Sequence, residues 1–98
     1  MISYLLVIPA RYKSTRFPGK PLVNIFGKTM LERVYERCKK ATNEKNIIIA
    51  TDSEKIVQHC ILKKMNFIKT SDKCLTGTDR VAEVSKKIKK TFYINVQV

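Results

Sequence analysis

Ninety-eight residues, 44% hydrophobic and 29% charged, suit one folded domain and exclude a disordered chain. No apolar run reaches the roughly 18 residues that cross a bilayer, the opening residues lack the basic n-region and cleavage site of a signal peptide, and Cys38, Cys60 and Cys74 form no C-x-x-C pair; a cytoplasmic protein without a membrane partner, disulfide framework or zinc site is expected. The formal charge of +12 raises the question of a nucleic-acid partner, but the lysines fall in scattered pairs near expected helix ends with no interleaved aromatics, so a solvated face is the preferred reading.

Ile2 to Ile8 is almost continuously apolar and is ended by Pro9, the pattern of a strand buried on both faces. A loop follows from Pro9 to Pro21. Thr29-Met-Leu-Glu32 is a capping box, and Leu31, Val34, Tyr35 and Cys38 make one apolar stripe on the helix it opens. Asn46 to Thr51 is a second, β-branched strand. Asp52 and Ser53 are expected to cap a second helix that buries Ile56, Val57, Cys60, Ile61 and Met65. Asn66 to Lys69 is a weak third strand. After a turn at Leu75 to Thr78, with Thr78 as the expected cap, a third helix begins with Asp79 in its first turn. Thr91 to Val98 is a fourth apolar run. The order βαβαβαβ predicts an α/β domain with a mostly parallel sheet and helices on both faces.

Ligands of open α/β sheets sit beyond the carboxyl ends of the strands, where the Pro9–Pro21 loop lies. Its residues suit phosphate: Arg11, Arg16 and Lys20 supply charge, Ser14 and Thr15 hydroxyls and amides, and Gly19 room for close approach. Pro18 and Pro21 stiffen it. An ordinary exposed turn with incidental charges is the alternative that composition leaves open. Walker A and dinucleotide fingerprints are both absent. Tyr12 is expected to pack over the loop, His59 to have no catalytic role, and Cys74, like the other two cysteines, to be a buried or idle thiol rather than a nucleophile.

Pro9 to Leu22, PARYKSTRFPGKPL, closely resembles the opening motif P-A-R-x-x-S-S/T-R-L/F-P-G-K-P-L of 3-deoxy-manno-octulosonate (Kdo) cytidylyltransferases. Further along, Gly27-Lys-Thr-Met30 is similar to that family's G-K-P-M, and Ala50-Thr-Asp52 to its A-T-D. Thr76-Gly-Thr-Asp-Arg-Val-Ala-Glu83 resembles S-G-T-D/E-R-V/L/I-A-E, and Ile94-Asn-Val-Gln97 the start of I-N-V-Q-G-D-E-P. Sialic acid cytidylyltransferases match less well.

The resemblance implies a three-layer α/β/α Rossmann-like nucleotidyltransferase fold. It also implies a reaction, CTP plus Kdo giving CMP-Kdo and pyrophosphate with Mg²⁺, for lipopolysaccharide biosynthesis. Carried over by position, Arg11 and Lys20 would be catalytic and hold the triphosphate. Pro9, Ala10, Ser14, Arg16, Thr76 and Gly77 would complete the nucleotide site, and Gln97 would lie near the sugars. The resemblance further implies that residues 1–98 are the nucleotide-binding N-terminal part of such a domain. The family's metal-binding aspartates, Kdo-binding half and homodimer region would then fall beyond Val98, leaving no metal ligand here and the chain inactive by itself. Asp52 and Asp79 are expected to be helix caps rather than substitutes. A small basic module for nucleotides or nucleic acid, and a remnant without activity, are the rival readings.

Overall fold

The apolar run at the start of the chain is a strand because both of its faces and both of its edges are covered. The computed structural model describes residues 2–13 and 16–98. In chain order these form β1 (Tyr4–Pro9), β2 (Asn24–Ile25), β3 (Lys28–Thr29), α1 (Met30–Ala41), β4 (Ile47–Thr51), α2 (Glu54–Leu62), β5 (Phe67–Lys69), α3 (Gly77–Lys87) and β6 (Phe92–Asn95). The main sheet runs β5-β4-β1-β6 with every pairing parallel. Leu6 sits opposite Ile47, and Tyr4 opposite Phe92. Later strands are added to either side of β1, so the crevice beyond the ends of β1 and β6 is the topological switch point of the sheet.

Side chains of β1 alternate between two cores. Leu6 and Ile8 meet Leu31, Tyr35 and Cys38 of α1 and Ile56 and Cys60 of α2 on one face. Leu5 and Val7 meet Val84 of α3 on the other. The result is the three-layer α/β/α arrangement with a mostly parallel sheet. Each fully buried aliphatic, such as Ile8 or Ile49, contributes about 1.5–3 kcal/mol.

Local signals account for most element starts. Thr29 Oγ1 accepts from the Glu32 amide at 3.1 Å, and Glu32 Oε1 accepts from the Thr29 amide at 3.1 Å, closing the expected box. Three expectations need correcting, on Asp52, Ile61 and Thr78. Ser53 alone caps α2, its Oγ accepting from Ile56 N at 3.3 Å, while Asp52 turns to Arg80 at 3.4 Å, because a buried guanidinium draws the nearest carboxylate. Ile61 is 54% exposed, since a position one residue past Cys60 is rotated about 100° off the buried stripe. Thr76, not Thr78, caps α3, because only from Thr76 does Asp79 fall at the third helical position and complete a second capping box. Cys74 is buried, only 8% exposed, under Glu83 of α3. The sequence reading also overlooks the β2–β3 hairpin, whose two turn residues, Phe26 (φ 51°) and Gly27 (φ 89°), both take the positive φ that two-residue hairpins favour.

Candidate functional site

Pro9 ends β1, having no N–H to continue the ladder, and Ala10 makes the last amide bond, to Ala50 O at 2.9 Å. The loop then folds back on itself, Gly19 N donating to Tyr12 O at 2.6 Å. Gly19 has φ 74°, and a Cβ there would lie 3.1 Å from the Tyr12 ring, so a side chain is excluded twice over. The close approach that Gly19 permits is therefore to Tyr12. The ring is held in turn by Lys55 at the start of α2, whose Nζ sits 4.6 Å from its centroid and donates to its hydroxyl at 3.3 Å. Tyr12 thus packs over the loop, as expected. This reversal delivers Lys20 at the head of a short 3-10 turn, Lys20–Leu22, whose Pro21 is buried.

Pro9, Ala10, Arg11, Lys20, Gly77 and Gln97 come together around a hollow of about 220 Å³ beyond the ends of β1 and β6, with Phe17, Pro21 and Val98. The α3 N-terminus, with its partial positive charge, approaches closely: a Cβ on Gly77 would meet Gln97 Nε2 at 3.1 Å and Pro9 Cγ at 3.2 Å. Arg11 Nη1 donates to Leu75 O at 3.1 Å. Two of the expected residues stand outside this lining. Thr76 turns its hydroxyl to the Asp79 amide at 3.1 Å, and Arg16 is exposed. Ser14 lies outside the described residues.

A larger hollow of about 600 Å³ opens beyond β4 and β5 and shares Arg11 with the first. Tyr12, Lys13, Lys55, Asp52, Glu54, Asp72, Cys74 and Arg80 line it, and sequence reasoning gave none of them a ligand-facing role. Arg80, 1% exposed, is the one with a legible signal: it stands four residues before Val84 and eight before Ile88, on the buried stripe of α3. Burial pushes the Cys74 thiol above its ordinary range and the Glu83 carboxylate beside it adds to this, which disfavours a thiolate. Glu83 itself, against the raising effect of burial, is held below the usual carboxylate range by the Ser71 amide and the Lys87 ammonium.

Two of the acids near these hollows are engaged elsewhere. Asp52 faces Arg80, and Asp79 Oδ2 accepts the amides of Leu75 and Thr76 at 3.2 Å each. Among the described residues no group of three or more His, Cys, Asp or Glu side chains could hold a metal. Magnesium needs oxygen ligands free of a competing cation. Also among the described residues, no helix is long and apolar enough to cross a membrane.

The motifs and the fold find one match in common. Residues 5–98 fit the sequence profile of cytidylyltransferases. The chain belongs to the cytidylyltransferase family. Among curated members it is 53% identical over 78 residues to 3-deoxy-manno-octulosonate cytidylyltransferase of Protochlamydia amoebophila, covering 80% of this chain and 30% of that protein. It is 45% identical over 92 residues to the mitochondrial 3-deoxy-manno-octulosonate cytidylyltransferase of Arabidopsis thaliana, covering 94% and 32%. A solved structure of CMP:2-keto-3-deoxy-manno-octonic acid synthetase complexed with CTP is similar at a TM-score of 0.86 and 39% identity, over 96% of this chain and 39% of that one. This cytidylyltransferase chain spans about a third of the length of those two relatives, 30% and 32%.

Proposed function

We propose that residues 1–98 are the nucleotide-binding part of an enzyme that transfers CMP from CTP to Kdo and releases pyrophosphate. What carries the reading is the convergence of Pro9, Ala10, Arg11, Lys20, Gly77 and Gln97 on one hollow at the switch point of the sheet. The CTP bound by the similar synthetase structure supports the choice of nucleotide. In the reaction, the anomeric oxygen of Kdo bonds to the α-phosphorus as the bond from that phosphorus to the oxygen linking it to the β-phosphorus breaks; that oxygen and the bonding pair leave with pyrophosphate, and the hydroxyl proton passes to solvent. Charge grows on the departing pyrophosphate, where Arg11 offers a planar fork and Lys20 a compact point charge. The Ala10 backbone and the Thr76–Gly77 turn would meet cytosine and ribose, Ser14 and Arg16 would shape the loop, and Gln97 would face the sugars.

Magnesium, when bound, would neutralise the triphosphate. Among the described residues, Asp52 and Asp79 are already engaged by Arg80 and by backbone amides. The same reading places the reaction in the cytoplasm, in the service of lipopolysaccharide assembly, by a homodimeric enzyme.

Calorimetric titration of the 98-residue chain with CTP and with cytidine tests the proposal. CTP should bind more tightly than cytidine, and Arg11→Met and Lys20→Met should each weaken CTP on the order of tenfold. Equal affinities for CTP and cytidine, or CTP binding indifferent to both substitutions, would refute the phosphate cradle.

A further inference from the structure

Arg80 heads the fully buried side chains of this protein in size, and its guanidinium is only partly satisfied. Nη1 donates to Thr70 Oγ1 at 2.6 Å and to Ser71 O at 3.4 Å and lies 3.4 Å from Asp52 Oδ1, while the buried Nε–H has no hydrogen-bond partner. A buried cation with an orphaned donor is a poorer source of stability than an apolar side chain of the same volume. Packing alone therefore does not account for it.

What Arg80 joins does. Thr70 and Ser71 open the turn between β5 and α3, Asp52 follows β4, and Arg80 belongs to α3. One guanidinium thus ties the carboxyl ends of two strands to one helix. The same turn ends near Leu75, whose carbonyl accepts from Arg11 Nη1 at 3.1 Å. Two further α3 side chains splint the turn from within, Asp79 on the amides of Leu75 and Thr76 and Glu83 on the amide of Ser71 at 2.9 Å. Arg80 alone of these three also pairs with the residue after β4.

The geometry points to Arg80 as a positioning residue for Arg11: by fixing residues 70–76 against β4, it fixes the carbonyl that holds the Arg11 guanidinium at the rim of both hollows. The inference rests on the reading of Arg11 as a ligand of the CTP phosphates.

A double-mutant cycle separates this role from simple support of the fold. Thr70→Val keeps the volume and removes the acceptor of the 2.6 Å bond. Arg80→Lys keeps the charge but ends one bond short of Nη1, the atom that meets all three acceptors, and replaces Thr70→Val if that variant does not stay folded. Each is made with Arg11 intact and with Arg11→Met, and CTP affinity is measured alongside the urea midpoint. With Arg11 present, CTP affinity should fall on the order of tenfold. With Arg11→Met it should not fall further, although the midpoint drops equally in both backgrounds. Equal losses of affinity in both backgrounds overturn the inference and leave Arg80 a purely structural residue. A wild-type chain that binds CTP no better than Arg11→Met overturns the phosphate role of Arg11 first, and this inference with it.

Discussion

Gly19 decides the shape of the β1 loop with a single hydrogen atom. Its φ of 74° costs a side-chain-bearing residue about 1–2 kcal/mol, and the space a methyl would need is occupied by the Tyr12 ring, 3.1 Å away and pinned by Lys55. Gly27 makes an informative contrast, with φ 89° but nothing within 4 Å of a built Cβ. Gly19→Ala and Gly27→Ala should therefore both lower the urea midpoint, whereas only Gly19→Ala should weaken CTP, because it displaces the turn that delivers Lys20. Unchanged CTP affinity in Gly19→Ala would show that Lys20 reaches its place without that turn. The need for glycine here was legible in the sequence, but its neighbour was not: composition pointed to a ligand, and the contact is an aromatic ring from the same loop. Arg80 is the converse. Its apolar-stripe position was readable in principle, yet what its charge would meet depended on Asp52 and Thr70, brought to it by two different strands.

At the scale of elements, capping was the most transferable signal, because it depends on residues three apart. It failed at Asp52, where the distant Arg80 competes, and at Thr78, where Thr76 offers Asp79 the three-residue spacing of a box. The α1 cap also carries the only histidine of the chain. His59 Nε2 lies 2.9 Å from Thr29 Oγ1 and 3.5 Å from Glu32 Oε1, so α2 meets the N-terminus of α1 through this ring. Burial holds the His59 pKa below its ordinary 6.5; Glu32 opposes the shift and Lys63 adds to it. The folded state then binds fewer protons than the unfolded chain. Stability from this site is complete above the unfolded value and is lost as pH falls from about 6.5 through the folded pKa. The urea midpoint should thus decline between about pH 7.5 and 5.5. In His59→Gln, which keeps a partner for Thr29, that decline should flatten. The lowered carboxyls of Glu36, Glu54 and Glu83 lose their contribution only as pH falls through and below their ordinary 4.5, so the upper part of the decline belongs to His59. An identical slope in wild type and His59→Gln would assign the loss to another group.

At the scale of the whole molecule, a charge of +12 opposes an apolar edge. Four of the fifteen lysines stand where helix dipoles favour them, Lys39 and Lys40 in the last turn of α1, Lys86 and Lys87 in that of α3. Among the described residues β6 pairs with β1 alone, and it presents Phe92, 45% exposed, and Ile94, 41% exposed, beside an open row of backbone groups. Such an edge is a template for another strand. The Debye length, about 30 Å at 0.01 M salt, shrinks to about 3 Å at 1 M, while the radius of gyration is 12.7 Å. In dilute salt each molecule therefore feels most of its neighbour's charge, and in concentrated salt very little. Sedimentation velocity should show association that grows with salt, the reverse of what an ion-paired interface does. Ile94→Lys should abolish it by placing a charge on the edge itself. Ile25→Lys adds the same charge on the β2–β3 hairpin, at a side chain 38% exposed, and should leave association intact. If both variants stay monomeric, net charge rather than the β6 edge governs self-association; if neither does, the contact lies elsewhere on the surface.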